Sequence, residues 1–182
     1  MTRANARELA VHLIYGREFT GEEPDQVVAT RLEKGYYSKL AEENQVYSER
    51  PSRAQMAYID KVVSGVANRT EMLNEIIAKF SIGWDIRRIS KLTRTIMQLA
   101  IFEIQYVEDV PTGVAISEAV RMAKMYDGDE TGSFVNGILG AYARSLTAPK
   151  AENPAEDTKN EEEQTANEEP VSQAESVSEV TK

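Results

Sequence analysis

Between Leu92 and Ile104 the sequence runs LTRTIMQLAIFEI, and from Ile96 onward only Gln98 and Glu103 interrupt the apolar residues. A helix built from this stretch is apolar nearly all round, so it is stable only inside a bundle with neighbours on several sides. The flanking segments must therefore supply amphipathic helices that close around it. Ala6, Leu9, Ala10, Leu13 and Ile14 fall at helical spacing over residues 4–18, behind Thr2 as a capping residue. Val28, Leu32, Tyr36 and Leu40 recur every four residues and predict a second helix over 25–40 capped by Asp25. Gly35 interrupts it at a cost of about 1 kcal/mol relative to alanine.

The run SRAQ at Ser52 to Gln55 is a capping-box pattern ahead of Met56, Ile59, Val63 and Val66. Leu73, Ile76, Ile77 and Phe80 form a stripe after Thr70 that Gly83 closes, and Trp84 opens a basic segment, WDIRRISK, expected to form a separate turn or two. The central helix ends at EDVP, after which Thr112 can cap a helix with Ile116, Ala119, Val120 and Ala123 inward. A loop, DGDETGS, leads to a last helix carrying Phe134, Val135, Ile138, Leu139, Tyr142 and Leu146. No period-two alternation competes, so the body reads as all-α with about seven helices.

Charge divides the chain. Residues 151–182 hold 10 Asp/Glu and 2 Lys, whereas residues 1–150 hold 20 acids against 19 Lys/Arg. Residues 149–182 contain no Phe, Trp, Tyr, Leu, Ile or Met. A segment of that composition cannot bury enough apolar area to offset its ordering entropy. The expected organisation is a helical domain over 1–148 and a disordered acidic tail over 149–182. Glu8 interrupts what would be the core of a signal peptide, and nowhere do 18 consecutive apolar residues occur, so a cytoplasmic protein is expected with no membrane span.

Little here supports catalysis. With no Cys and one His, neither a disulfide scaffold nor an ordinary zinc site can form. DGDETG from Asp127 imitates the first half of a calcium loop, but Ile138 stands where the closing Glu is required. No glycine-rich phosphate loop occurs, His12 lacks a nucleophile partner in sequence, and the acid pairs Glu22/Glu23 and Glu42/Glu43 are expected in or near loops, with no aromatic sugar cleft. No enzyme activity, cofactor or metal is expected.

Binding remains. Arg3 and Arg7 lie four apart on the first helix, where the free N–H groups and the dipole add positive potential suited to a phosphate backbone. Phe134, beside the polar loop, can stack on an unpaired base. On the central helix Arg94 and Gln98 share a face with Thr95 alongside, and Glu103 emerges roughly 140° away, so two polar outlets are expected to reach water or a partner.

Taken together, ARELAVHLIY at residues 6–15, LTRTIMQLAIFEI at 92–104, VPTGVAISEAVRMAK at 110–124 and FVNGILG at 134–140 resemble, in order and spacing, the NusB family of transcription antitermination factors. The resemblance implies two small helical bundles around a long shared helix. It also implies a protein without catalytic activity that binds boxA-type single-stranded RNA, notably in ribosomal RNA leaders, together with the ribosomal protein NusE. That assembly acts on RNA polymerase with NusA and NusG. The family's basic N-terminal motif maps onto Arg3 and Arg7, its first-helix tyrosine onto Tyr15, and its last-helix motif onto Phe134 through Gly137. RNA contacts are accordingly expected at Arg3, Arg7, Gln98 and Phe134, and partner contacts at Tyr15, Arg94 and Glu103. The acid and arginine usual in the family's central helix stand here as Thr93 and Gln98, which predicts weaker RNA affinity and a shallower salt dependence. The alternative expectation is a helical protein-binding scaffold or homodimer without RNA recognition.

Overall fold

The computed structural model describes residues 1–83 and 89–147, the burial of Glu43 excepted. The turn expected at Trp84 and the acidic tail expected beyond residue 148 lie outside the described residues. Eight α-helices and one 3-10 turn, with no strands, make up the described chain: α1 (Arg3–Thr20), α2 (Pro24–Arg31), α3 (Lys34–Glu43), a 3-10 turn at Gln45–Tyr47, α4 (Arg53–Ala67), α5 (Thr70–Phe80), α6 (Lys91–Tyr106), α7 (Thr112–Asp127) and α8 (Asp129–Thr147).

α6 is the shared element. It packs on α1 and α4 on one side and on α5, α7 and α8 on the other, while α1 gathers α2, α4 and the 3-10 turn, and α7 pairs with α8. Ten of its residues are buried, from Thr93 through Glu103 with only Arg94 outside. The all-round apolar pattern thus has its expected cause, which is contact with both bundles. Ile96, Leu99 and Ile101 are fully inaccessible. At its crossing with α4, a Cβ on Gly65 would stand 2.0 Å from the Phe102 ring, so glycine there lets the ring lie against the α4 backbone.

Local chemistry explains most boundaries. Thr2 accepts from the Asn5 N–H and caps α1, and Gly21 closes it in the left-handed region at φ 68. Ser52 and Gln55 form the reciprocal capping box at α4. Four boundaries differ from the expectation. The helix foreseen over 25–40 is two helices, because the chain turns at Leu32 and restarts where the Glu33 carboxylate accepts from the Tyr36 N–H. The caps of α2 and α7 are Glu23 and Pro111, with Pro24 and Thr112 already in the first turns. The loop foreseen over 127–133 shrinks to Gly128, whose φ of 91 lets α7 run directly into α8. The acids of that segment suit the first turn of α8, where they face the positive end of the helix dipole.

Candidate nucleic-acid interface

Arg3 and Arg7 share one face of α1, but only Arg7 is turned fully inward. Arg7 is 2% exposed, and its guanidinium grips Glu103 of α6 at 2.8 Å through Nε and 2.9 Å through an Nη. Tyr58 of α4 donates to the same carboxylate at 2.7 Å, and Glu118 of α7 lies 3.7 Å from Arg7. Desolvation opposes the charge on Arg7, but the Glu103 hydrogen bond and charge, with Tyr58 and Glu118, outweigh it and raise its pKa. Burial, then the Glu103 carboxylate, push the Tyr58 hydroxyl up. Arg7 and Glu103 therefore do not form the surface contacts expected of them. Each is the other's partner, because removing either from water requires an opposite charge with matching hydrogen bonds.

Gln98 departs from expectation in the same way. It is 1% exposed and donates to Asn74 of α5 at 2.8 Å, tying α6 to its neighbour instead of reaching solvent. Arg3 stays at the surface, its side chain 38% exposed, ion-paired to Asp109 at 3.2 Å and stacked 3.8 Å above the Tyr58 ring.

The far end of α1 meets the first turn of α6 at a different kind of surface. Tyr15 and Phe19 pack edge to face at 5.0 Å, Lys91 lies 4.5 Å from the Phe19 ring, and Arg94 pairs with Glu18 at 3.5 Å. Phe19 is nevertheless 60% exposed. Tyr15 and Arg94 thus lie at the same end of the α1–α6 contact, as do Phe19 and Lys91, which the residue pattern did not single out. The signal was available, since Phe19 lies four residues after Tyr15 and outside the inward stripe of α1.

On the other side of that turn of α6 lies a cavity of about 690 Å³ bounded by Ser90, Thr93, Asp127, Glu130 and Phe134, among others. Ser90 donates to Asp127 at 2.8 Å, and Thr93 also donates to Asp127, so α6 and α7 are laced together at its floor. Phe134 sits in the second turn of α8 rather than the first, partly buried against the core and lining the cavity. Asp127 and Glu130 make the lining acidic, which suits a base or an uncharged ring better than a phosphate.

A hydrogen-bonded chain crosses between the bundles. Tyr126 of α7 donates to Glu8 at 2.9 Å, and His12 approaches Tyr126 at 2.7 Å through Nε2 and Tyr47 at 3.1 Å through Nδ1. With the Tyr126 proton spent on Glu8, Nε2 of His12 donates to the Tyr126 oxygen and the neutral ring accepts from Tyr47. Burial lowers the pKa of His12, opposed by the charge of Glu8. This histidine is a structural link. No cluster able to hold a metal ion occurs among the described residues, and none of their helices is long and apolar enough to cross a membrane.

Known proteins share this pattern along most of the chain. The sequence model of the NusB family matches residues 4–144. The transcription antitermination protein NusB of Acetivibrio thermocellus is 38% identical over 144 residues, which is 79% of this chain and 90% of that protein. The protein of the same name from Carboxydothermus hydrogenoformans is 36% identical over 146 residues, 80% of this chain and 95% of its own. Among solved structures, NusB in a crystal of the antitermination factors NusB and NusE with double-stranded RNA superposes with a TM-score of 0.61 at 23% identity, covering 79% of this chain and 96% of that one, and so shares the fold. Family match, relatives and helical architecture agree, and this chain belongs to the NusB family of transcription antitermination proteins.

Proposed function

We propose that this chain is an RNA-binding adaptor that takes a boxA-type single-stranded RNA together with NusE and supports ribosomal RNA transcription within an antitermination complex on RNA polymerase, alongside NusA and NusG. One observation carries the reading. The start of α6 supplies Lys91 and Arg94 to the aromatic surface with Tyr15 and Phe19, and Ser90 and Thr93 to the cavity lined by Phe134. A protein partner seated on the first surface would therefore border a base held in the second, and one RNA segment could touch both proteins. A solved NusB neighbour crystallised with NusE and double-stranded RNA supports a joint role with NusE and RNA.

In this reading Tyr15, Phe19, Lys91 and Arg94 meet the protein partner, and Phe134 flanks an unpaired base. Arg3 provides a surface cation for the backbone. Arg7, Gln98 and Glu103 act indirectly, by holding α1 and α5 against α6. With Arg7 withdrawn from the surface, fewer counterions are released, and RNA affinity rests more on NusE and on stacking.

Titrating labelled boxA RNA with this protein, with and without NusE, tests the adaptor role. NusE should tighten binding to boxA RNA over a scrambled RNA at low and moderate salt. No such gain defeats the proposal. Arg3→Ala and Phe134→Ala separate it from a scaffold without RNA recognition: both should weaken RNA binding while NusE binding persists.

A further inference from the structure

We infer that a second pocket, on the other flank of the last turn of α7, receives one unpaired nucleobase of the RNA strand, a reading that rests on the proposed RNA-binding role. The pocket encloses about 440 Å³ between the start of α1, the 3-10 turn and the end of α7, where Asn5, Glu8, Asn44, Gln45, Met125 and Tyr126 converge. That volume falls in the range of small-molecule sites, ample for one purine or pyrimidine.

Its chemistry suits a base edge and not a phosphate. Three carboxamides line it, and no Lys or Arg does. Asn44 uses its oxygen to accept from the Val46 N–H at 2.9 Å, which leaves its NH2 group as a donor. The carboxamides of Asn5 and Gln45 carry both a donor and an acceptor, the pattern that pairs in two-point fashion with base edges. The one carboxylate is already occupied: Glu8 accepts from Tyr126 at 2.9 Å and faces Arg121 at 3.4 Å. Tyr126 is in turn fixed by His12, so the pocket floor is preorganised. Met125, 50% exposed at the edge, offers a polarizable thioether against a ring face.

Position identifies the occupant as part of the same strand. Asp127 borders the Phe134 cavity, while Met125 and Tyr126, its immediate neighbours in sequence, border this pocket. A strand with one base against Phe134 therefore needs only to cross a single helical turn to place another base among the carboxamides.

The test measures binding of the full-length protein with NusE to a boxA-type RNA and to a set of the same RNA with one base removed at a time. Asn5→Ala with Gln45→Ala should weaken the intact RNA about tenfold, within the cost of losing a good two-point base contact. The dependence on salt should not change, because no phosphate contact is lost. One base-deleted RNA, already weakened with the unmodified protein, should lose nothing further with the variant. Gln45→Met, a neutral change of similar size that deletes the carboxamide at an exposed position, should reproduce part of the loss, and thermal melts should show both variants folded. Equal losses on every base-deleted RNA, a shallower salt dependence, or unaltered binding by Gln45→Met would each overturn the pocket assignment. If the unmodified protein binds no RNA, the adaptor role and the pocket fall together; if it binds without a coupled base position, only the pocket falls.

Discussion

Two ion pairs join the same two helices, and they have opposite characters. Near the start of α1, Arg7 meets Glu103 with both side chains essentially inaccessible, at 3% and 0% exposure; near its end, Glu18 meets Arg94 at 22% and 21%. The first pair is closed over by Tyr58 and Glu118, and the second opens onto Phe19 and Lys91. The charges are even exchanged between the helices. What separates a closed pair from an open one is therefore not residue type or spacing but whether a third helix covers the contact. α4 and α7 cover Arg7, whereas the aromatic pair beside Arg94 is left at the surface.

The comparison can be broken most forcefully at Glu103. Glu103→Ala leaves Arg7 buried with its main partner gone and should cost about 3–5 kcal/mol in urea denaturation, whereas replacing both members by Met and Leu should cost much less. A single variant no less stable than the double one would show that the pair is not isolated from water. Next, Gly65→Ala tests how tightly the buried end is packed. The added methyl meets the Phe102 ring and should destabilise by about 1–3 kcal/mol, read as a lower melting temperature. At the open end Phe19→Ala should weaken NusE binding by about 1–2 kcal/mol with stability nearly intact, and binding equal to that of the unmodified protein would remove this surface from the proposed interface.

Arg94→Ala should change stability by no more than about 1 kcal/mol, an effect that fades as salt is raised, while the cost of Glu103→Ala persists. The last effect is read as a slope against pH. Because burial lowers the pKa of His12, the folded state binds fewer protons than the unfolded state below the ordinary value of about 6.5. Its contribution is therefore complete above that value and is lost as pH falls toward the lowered pKa. Denaturation at about pH 7.5 and about pH 5 should show a smaller difference in His12→Gln than in the unmodified protein.

Much of the fold was legible in the residues. The all-round apolar run of α6, the cap at Thr2 and the capping box at Ser52 are local statements, and each holds. The split between α2 and α3 was hidden because Val28, Leu32, Tyr36 and Leu40 keep helical spacing across it, and only the Glu33 side chain marks the restart. The site was less legible. Tyr15 and Arg94 as surface residues, and Phe134 beside the loop before the last helix, follow from the pattern, but Gln98 and Glu103 do not reach the water or external partner expected of them, because polarity on an apolar helix has two causes. Such residues either reach water or meet a buried partner, and Asn74 and Arg7 lie on other helices, distant in sequence.

By itself, the sequence determined that the chain is helical, that α6 must be surrounded, and that the family pattern spans residues 4–144, because periodicity, capping and motif order are properties of neighbouring residues. Only the tertiary structure decided which charges are withdrawn from the surface and which remain exposed. Burial depends on the third element that closes over a pair, and no spacing within one helix encodes where another helix will lie.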